Sequence, residues 1–194
     1  MFVLILGLII FFGIHSSRIF AEDARTNFIA ARGENNWKGV YVVASFIGLG
    51  LMVWGYGMAR EAGPVMVFDA PVWTRHLNYV LMLPIFVMLI SAYFPGRISA
   101  ALKHPMLVAV KLWALGHLLA NGDLASLLLF GAFLAWGVMD RISVKRRPVT
   151  AGGPPRAPAS GANDIIAIVG GLGFYVAFML WLHQVVSGVA IWPM

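Results

Sequence analysis

The sequence contains no cysteine, which excludes disulfides, thiolate metal sites and a cysteine nucleophile. Charge is scarce as well. Asp, Glu, Lys and Arg make up 11% of 194 residues, where a soluble domain carries roughly 25%. Acidic residues number 8 against 14 Lys and Arg, for a formal net charge of +6. These cations sit at the ends of apolar runs and between them. No basic surface interleaved with aromatics is present, so a nucleic-acid partner is not expected. Gly-rich phosphate loops, Gly-x-Ser-x-Gly, His-Glu-x-x-His and paired carboxylates are missing too. Hydrolase, kinase and dinucleotide-enzyme chemistry therefore have no support.

What is present is apolar length. Hydrophobic residues form 60% of the chain and the mean hydropathy is +0.83. A helix needs about 20 mostly apolar residues to cross a bilayer. Six runs reach or approach this, at residues 1–21, 40–59, 77–94, 105–120, 124–139 and 165–191. The expected fold class is all-α, an integral membrane bundle of about six transmembrane helices forming a single domain over 1–194, with the lipid bilayer as its partner.

Residues 1–21 lack the positive n-region and small-x-small site of a cleavable signal, so they are read as a retained helix. Small residues at 45, 48, 50, 55 and 57 allow close helix approach in the second run. Pro84 predicts a kink in the third. Asn121-Gly122-Asp123 supplies a helix stop and an N-cap, joining runs four and five as an antiparallel hairpin. The Gly-, Pro-, Ala- and Ser-rich stretch 148–162 reads as a flexible loop. Trp37, Trp54, Tyr56, Trp73 and Tyr93 lie near run ends and read mostly as an interfacial belt.

With six spans, the odd-numbered loops hold Arg18, Arg25, Arg32, Lys38, Arg97, Lys103, Arg141, Lys145, Arg146, Arg147 and Arg156. The even loops hold Arg60 and Arg75. Eleven cations against two place both termini outside the cytoplasm by the positive-inside rule.

Polar groups inside a membrane mark functional candidates, and this topology sorts the five histidines by depth. His15 lies about six residues, roughly 9 Å, inside the inner face, and His104 is also near it. His76, His117 and His183 fall toward the outer face. Two histidines on different helices at one depth suit bis-imidazole ligation of a haem. Arg18 shares a helix face with His15 and is a propionate partner, as is Lys103. Pro105 predicts that His104 is an N-cap, shallower than His15 unless the helix starts near Ile98. The alternative for each histidine is an interhelical hydrogen bond without a cofactor. Lys111, seven residues after His104, either faces the cavity or pairs with a carboxylate such as Asp140. His117 and Asn121 share a face at i, i+4 as a polar strip. The outer histidines are either interfacial structure or a metal site, and the first is favoured.

Several segments carry a family resemblance: LGLIIFFGIHSSR at 6–18, ARGENNWKGVYVVAS at 31–45, LMVWGYGMAR at 51–60 and WTRHL at 73–77. KHPMLVAVKLWALGHLLANGD at 103–123, DRISVKRR at 140–147 and WLHQVVSGVAIWP at 181–193 complete it. Over nearly its whole length the chain resembles the NnrU family of bacterial membrane proteins, associated with nitrite and nitric oxide reduction in denitrification. That family is similar to plastid 15-cis-zeta-carotene isomerase, a haem b enzyme that isomerises a polyene double bond. The resemblance implies haem b as cofactor, ligated by His15 of His15-Ser16 and His104 of Lys103-His104-Pro105. Arg18, Lys103, Lys111 and His117, singled out by spacing and depth, are the candidate cofactor-binding residues, and the resemblance makes a lipid-soluble polyene a candidate substrate. The sequence has Lys rather than Arg before the second histidine and no cysteine to act as an alternative ligand. His-Pro followed by Gly-His-x-x-x-Asn-Gly also resembles isoprenylcysteine-type methyltransferases, which use S-adenosylmethionine. That reading lacks their C-terminal cytoplasmic segment. A third expectation is a non-enzymatic factor that supports nitrogen-oxide reductases.

Overall fold

A computed structural model describes residues 1–147 and 157–191. Most of the loop expected at 148–162, with Arg156, lies outside the described residues. In chain order the helices are α1 (Phe2–His15), α2 (Ser17–Phe20), α3 (Glu22–Arg32), α4 (Glu34–Glu61), α5 (Val72–Met82) and α6 (Ile85–Tyr93). They continue with α7 (Arg97–Leu102), α8 (Pro105–Ala120), α9 (Leu124–Arg146) and α10 (Ala162–Ala177). A π-helical turn, Phe178–Leu182, then leads into α11 (His183–Ser187). Among the described residues there is no β-strand, only one isolated bridge between Met66 and Asp123. The protein is all-α, as its apolar runs require.

Four helical stretches are long and apolar enough to cross a membrane: Glu34–Glu61, Val72–Tyr93, Leu124–Arg146 and Ala162–Ser187. Two shorter apolar helices, Phe2–His15 and Pro105–Ala120, coincide with the first and fourth runs. The outward side chains of the long and short helices alike are apolar, with Phe2 77%, Phe46 70% and Val185 80% exposed. In water such surfaces would drive aggregation, whereas lipid solvates them.

Several helix boundaries differ from those expected. The first run is helical only to His15, after which Ser16 forms a turn before α2. The second starts at Glu34 rather than 40, and Glu34 and Lys38 pair at 3.0 Å across its first turn. The fifth extends through Arg146. Its charged last turns remain helical although they are too polar for lipid. Pro84 interrupts the third run as expected, since it has no amide hydrogen to continue the ladder.

By packing, the chain divides into two compact units, 1–67 with 123–146 and 68–122 with 147–194. In the first, α1 lies against α4 backbone to backbone. A β-carbon at Gly7 would come within 2.6 Å of the Met52 amide nitrogen, and one at Gly48 within 2.7 Å of that of Phe11. At Gly55 it would collide with Leu4. The buried side chains Leu4, Leu8, Met52 and Ala125 fill this seam, and α9 closes it through Ala125, Leu128 and Phe133. Asp123 caps α9, accepting from the Ser126 amide at 2.9 Å and the Ser126 hydroxyl at 2.6 Å. That leaves Ser126 Oγ to accept from Tyr56 Oη at 2.8 Å. Tyr56 is thus an internal strut rather than a belt residue. Removing its hydroxyl in Tyr56→Phe is expected to cost about 1 kcal/mol. Denaturant unfolding in detergent would read this as a lower midpoint, and an unchanged midpoint would deny the strut any weight.

In the second unit, α6 packs on α8 around Ile85, Met88 and Ala109. Helix α10 packs on α6 at Gly171, where a β-carbon would come within 2.5 Å of the Val87 amide nitrogen. The start of α10 is pinned by two polar side chains. Asn163 Nδ2 donates to the carbonyls of Pro95 and Pro158, each at 2.9 Å. Asp164 accepts from the first amides of α7, Arg97 at 2.9 Å and Ile98 at 3.1 Å.

Candidate functional site

In the first unit, His15 ends α1. Its Nδ1 is 2.8 Å from the carbonyl of Phe11 one turn earlier. A carbonyl only accepts, so Nδ1 carries the proton and Nε2 is the nitrogen left for a ligand. The imidazole stacks on Phe11 at 3.9 Å between centroids, with 19° between the planes. Tyr41 of α4 lies 4.9 Å away. Trp136 of α9 stands perpendicular to the imidazole at 5.8 Å. Asp140, one turn beyond Trp136, acts electrostatically on both His15 and Tyr41.

Histidine ligands of metals usually anchor one ring nitrogen on a carbonyl or carboxylate, which fixes the ring's orientation and tautomer. His15 meets that condition before any ligand arrives. The Nε1 of Trp136 is buried and has no acceptor among the described residues.

Arg18 is separated from His15 by the turn at Ser16, so helix spacing no longer relates them. Its Nε lies 3.5 Å from the Glu22 carboxylate, which also holds Arg25 at 3.1 Å.

The second unit carries Lys103, His104, Lys111 and His117. His104 is the N-cap of α8 and Pro105 its first residue, as the sequence predicts. The helix does not begin near Ile98 as one piece. Helix α7 ends at Leu102 and Lys103 takes φ 62°, the only positive φ outside glycine among the described residues. The His104 amide donates to the Leu102 carbonyl at 2.7 Å. Together these make a γ-turn of the rare positive-φ kind. Backbone of this sort is held against its own preference and concentrates at functional sites.

Lys111 is half-buried on α8. His117, in the last turn of α8, has Nδ1 2.8 Å from the Trp113 carbonyl. Asn121 Nδ2 donates to the His117 carbonyl at 2.9 Å, the polar strip expected at i, i+4. His76 is exposed. His183 follows the π-turn and places Nδ1 2.8 Å from the Val189 carbonyl. Among the described residues, no three His, Asp or Glu side chains gather where they could hold a metal ion.

Sequence reasoning left Tyr41 and Trp136 out of the site. The signal for Trp136 was its i, i+4 spacing from Asp140 on one face of α9. Nothing local points Tyr41 at His15, because that contact depends on how closely α1 and α4 approach.

No curated protein and no solved structure matches the chain. The family described as NnrU protein matches residues 3–191, from the first turn of α1 through α11. The chain is a helical membrane protein and belongs to the NnrU family.

Proposed function

We propose that this protein binds haem b in a bacterial inner membrane, with His15 as an axial ligand, and that it serves nitrite and nitric oxide reduction. The observation that carries this reading is the His15 ring, anchored through Nδ1 to Phe11 and walled by Phe11, Tyr41 and Trp136. Aromatic walls keep water from the ligand nitrogen and give a flat apolar macrocycle a fitting surface. Iron protoporphyrin would supply one-electron or cis–trans isomerase chemistry on a lipid-soluble polyene.

The chain's residues supply the rest. His15 would hold the iron through Nε2, the nitrogen that its anchor on the Phe11 carbonyl leaves free. His104, presented by the strained turn at Lys103, is the second ligand expected from the sequence. The excess of Lys and Arg in alternate loops supports a cytoplasmic face for those loops.

The test is an absorption spectrum of the detergent-purified protein, oxidised and reduced. The wild type should show a Soret band and a sharpened α band on reduction, both absent in His15→Ala. His104→Ala should also lose or shift the Soret band if His104 is the second ligand. Colourless protein after expression with a haem precursor would overturn the reading. The non-enzymatic factor would then stand, provided that His15→Ala restores reductase activity in a deletion strain.

A further inference from the structure

Contacts along α1 fix the direction of its two neighbours in the first unit. Near the start of α1, Leu4 clusters with Ala125 of α9 and lies against Gly55 of α4. At its end, His15 meets Trp136 of α9 and Tyr41 of α4. Helix α9 therefore runs parallel to α1, and α4 runs back. At about 1.5 Å per residue, Glu34 lies roughly 10 Å beyond the His15 layer, and Arg141 to Arg146 lie roughly 8–15 Å beyond it. The α3–α4 hairpin and the last turns of α9 thus reach one level, past the apolar runs at 40–59 and 124–139.

Cations at this level outnumber their partners. Glu22 holds Arg18 at 3.5 Å and Arg25 at 3.1 Å, and Glu34 holds Lys38 at 3.0 Å. Among the described residues, no ion pair reaches Arg32, Arg141, Lys145 or Arg146. Arg32 stands over the Phe28 ring at 5.9 Å and Arg25 over Trp37 at 5.8 Å, and the two rings meet at 5.7 Å. This aromatic pair holds a guanidinium at each end. Apolar side chains stand exposed among the charges, Phe20 by 72% and Ile142 by 47%. The boundary of a bilayer meets both needs at once, with acyl chains for the apolar groups and phosphates for the cations.

We propose that this end of the first unit is a binding surface for anionic phospholipid headgroups, contacted by Arg32, Lys145 and Arg146. Such a surface needs no cofactor at His15. It also goes beyond topology, since cations can orient a chain during insertion without holding any lipid afterwards.

The experiment titrates the full-length protein, in uncharged detergent, with fluorescent phosphatidylglycerol or with phosphatidylcholine of the same chain length. A Lys or Arg at an anionic headgroup layer contributes roughly fivefold in affinity. Wild type should therefore prefer phosphatidylglycerol by about tenfold or more. The triple variant Arg32→Gln, Lys145→Gln, Arg146→Gln should bind both lipids alike. Arg60→Gln, at the far end of α4, should keep the wild-type preference.

Equal affinity of wild type for the two lipids would overturn the proposal, as would a preference that the triple variant retains or Arg60→Gln loses. Glycerol phosphate or polyglutamate that displaces the lipid at equal concentration would make this a site for soluble anions or an acidic protein, and overturn it too. If the triple variant does not fold, wild type alone supplies the test. Its preference should vanish in about 1 M NaCl, where charges are screened within roughly 3 Å, and a preference that persists there would overturn the proposal.

Discussion

Gly55→Leu is expected to separate α1 from α4. A side chain at 55 grows directly into the backbone of Leu4, and backbone cannot rotate aside as a side-chain tip can. Overpacking costs about 1–3 kcal/mol where side chains can shift, and the upper end applies here. Gly57→Leu, two residues on, should behave in the opposite sense. Its β-carbon meets open space, so leucine there gains up to about 1 kcal/mol of helix propensity.

The measurement is denaturant unfolding of both variants in one detergent, with Gly50→Leu as a second open position. Equal midpoints for Gly55→Leu and Gly57→Leu would show that the seam is not a backbone contact. The consequence reaches the candidate site, because α1 carries His15 and α4 carries Tyr41. Separating the helices should strip the imidazole of one wall, so under the haem proposal Gly55→Leu is also expected to hold less haem per protein.

Asp164→Ala is expected to release α7. The carboxylate accepts from both amides that open that helix, which has only six residues and no side-chain cap of its own. Hydrogen bonds to a charged group contribute about 1.5–3 kcal/mol. At a half-exposed position the pair should be worth about 2 kcal/mol in total. Amide hydrogen exchange at Arg97 and Ile98 should accelerate by more than an order of magnitude, while exchange in α8 changes little. Asp164→Asn keeps one acceptor oxygen and should lose less. Unaltered exchange in the alanine variant would mean that water caps α7 just as well. Because α7 ends at the Lys103 γ-turn, its release also lets Lys103 relax toward ordinary backbone. The change would be felt at His104.

The capping residues show where local sequence was enough. Asp123 as N-cap of α9, His104 before Pro105 and the interruption at Pro84 all follow from chemistry within four residues. Asn121 on the His117 carbonyl is equally local. Asp164 is different, since it caps a helix 66 residues away. Before the structure it reads only as an acidic residue beginning a span. The glycines divide in the same way. Gly48, Gly50, Gly55 and Gly57 are indistinguishable in sequence, yet the first and third touch α1 and the other two touch nothing. Facing 48 and 55 the same way is a matter of helix rotation, which a run with small residues all around does not fix.

Composition and run length alone determined that this chain is helical and lives in a membrane. Backbone amides in lipid must be bonded within the segment, and only helices achieve that with apolar runs of this length. Sequence also singled out His15, because an imidazole in such a run is costly. Tertiary structure alone decided what surrounds it. Phe11 lies one turn back, but Tyr41 and Trp136 arrive from distant segments through close helix packing. Contacts of that kind depend on distances between helices, which apolar periodicity does not encode.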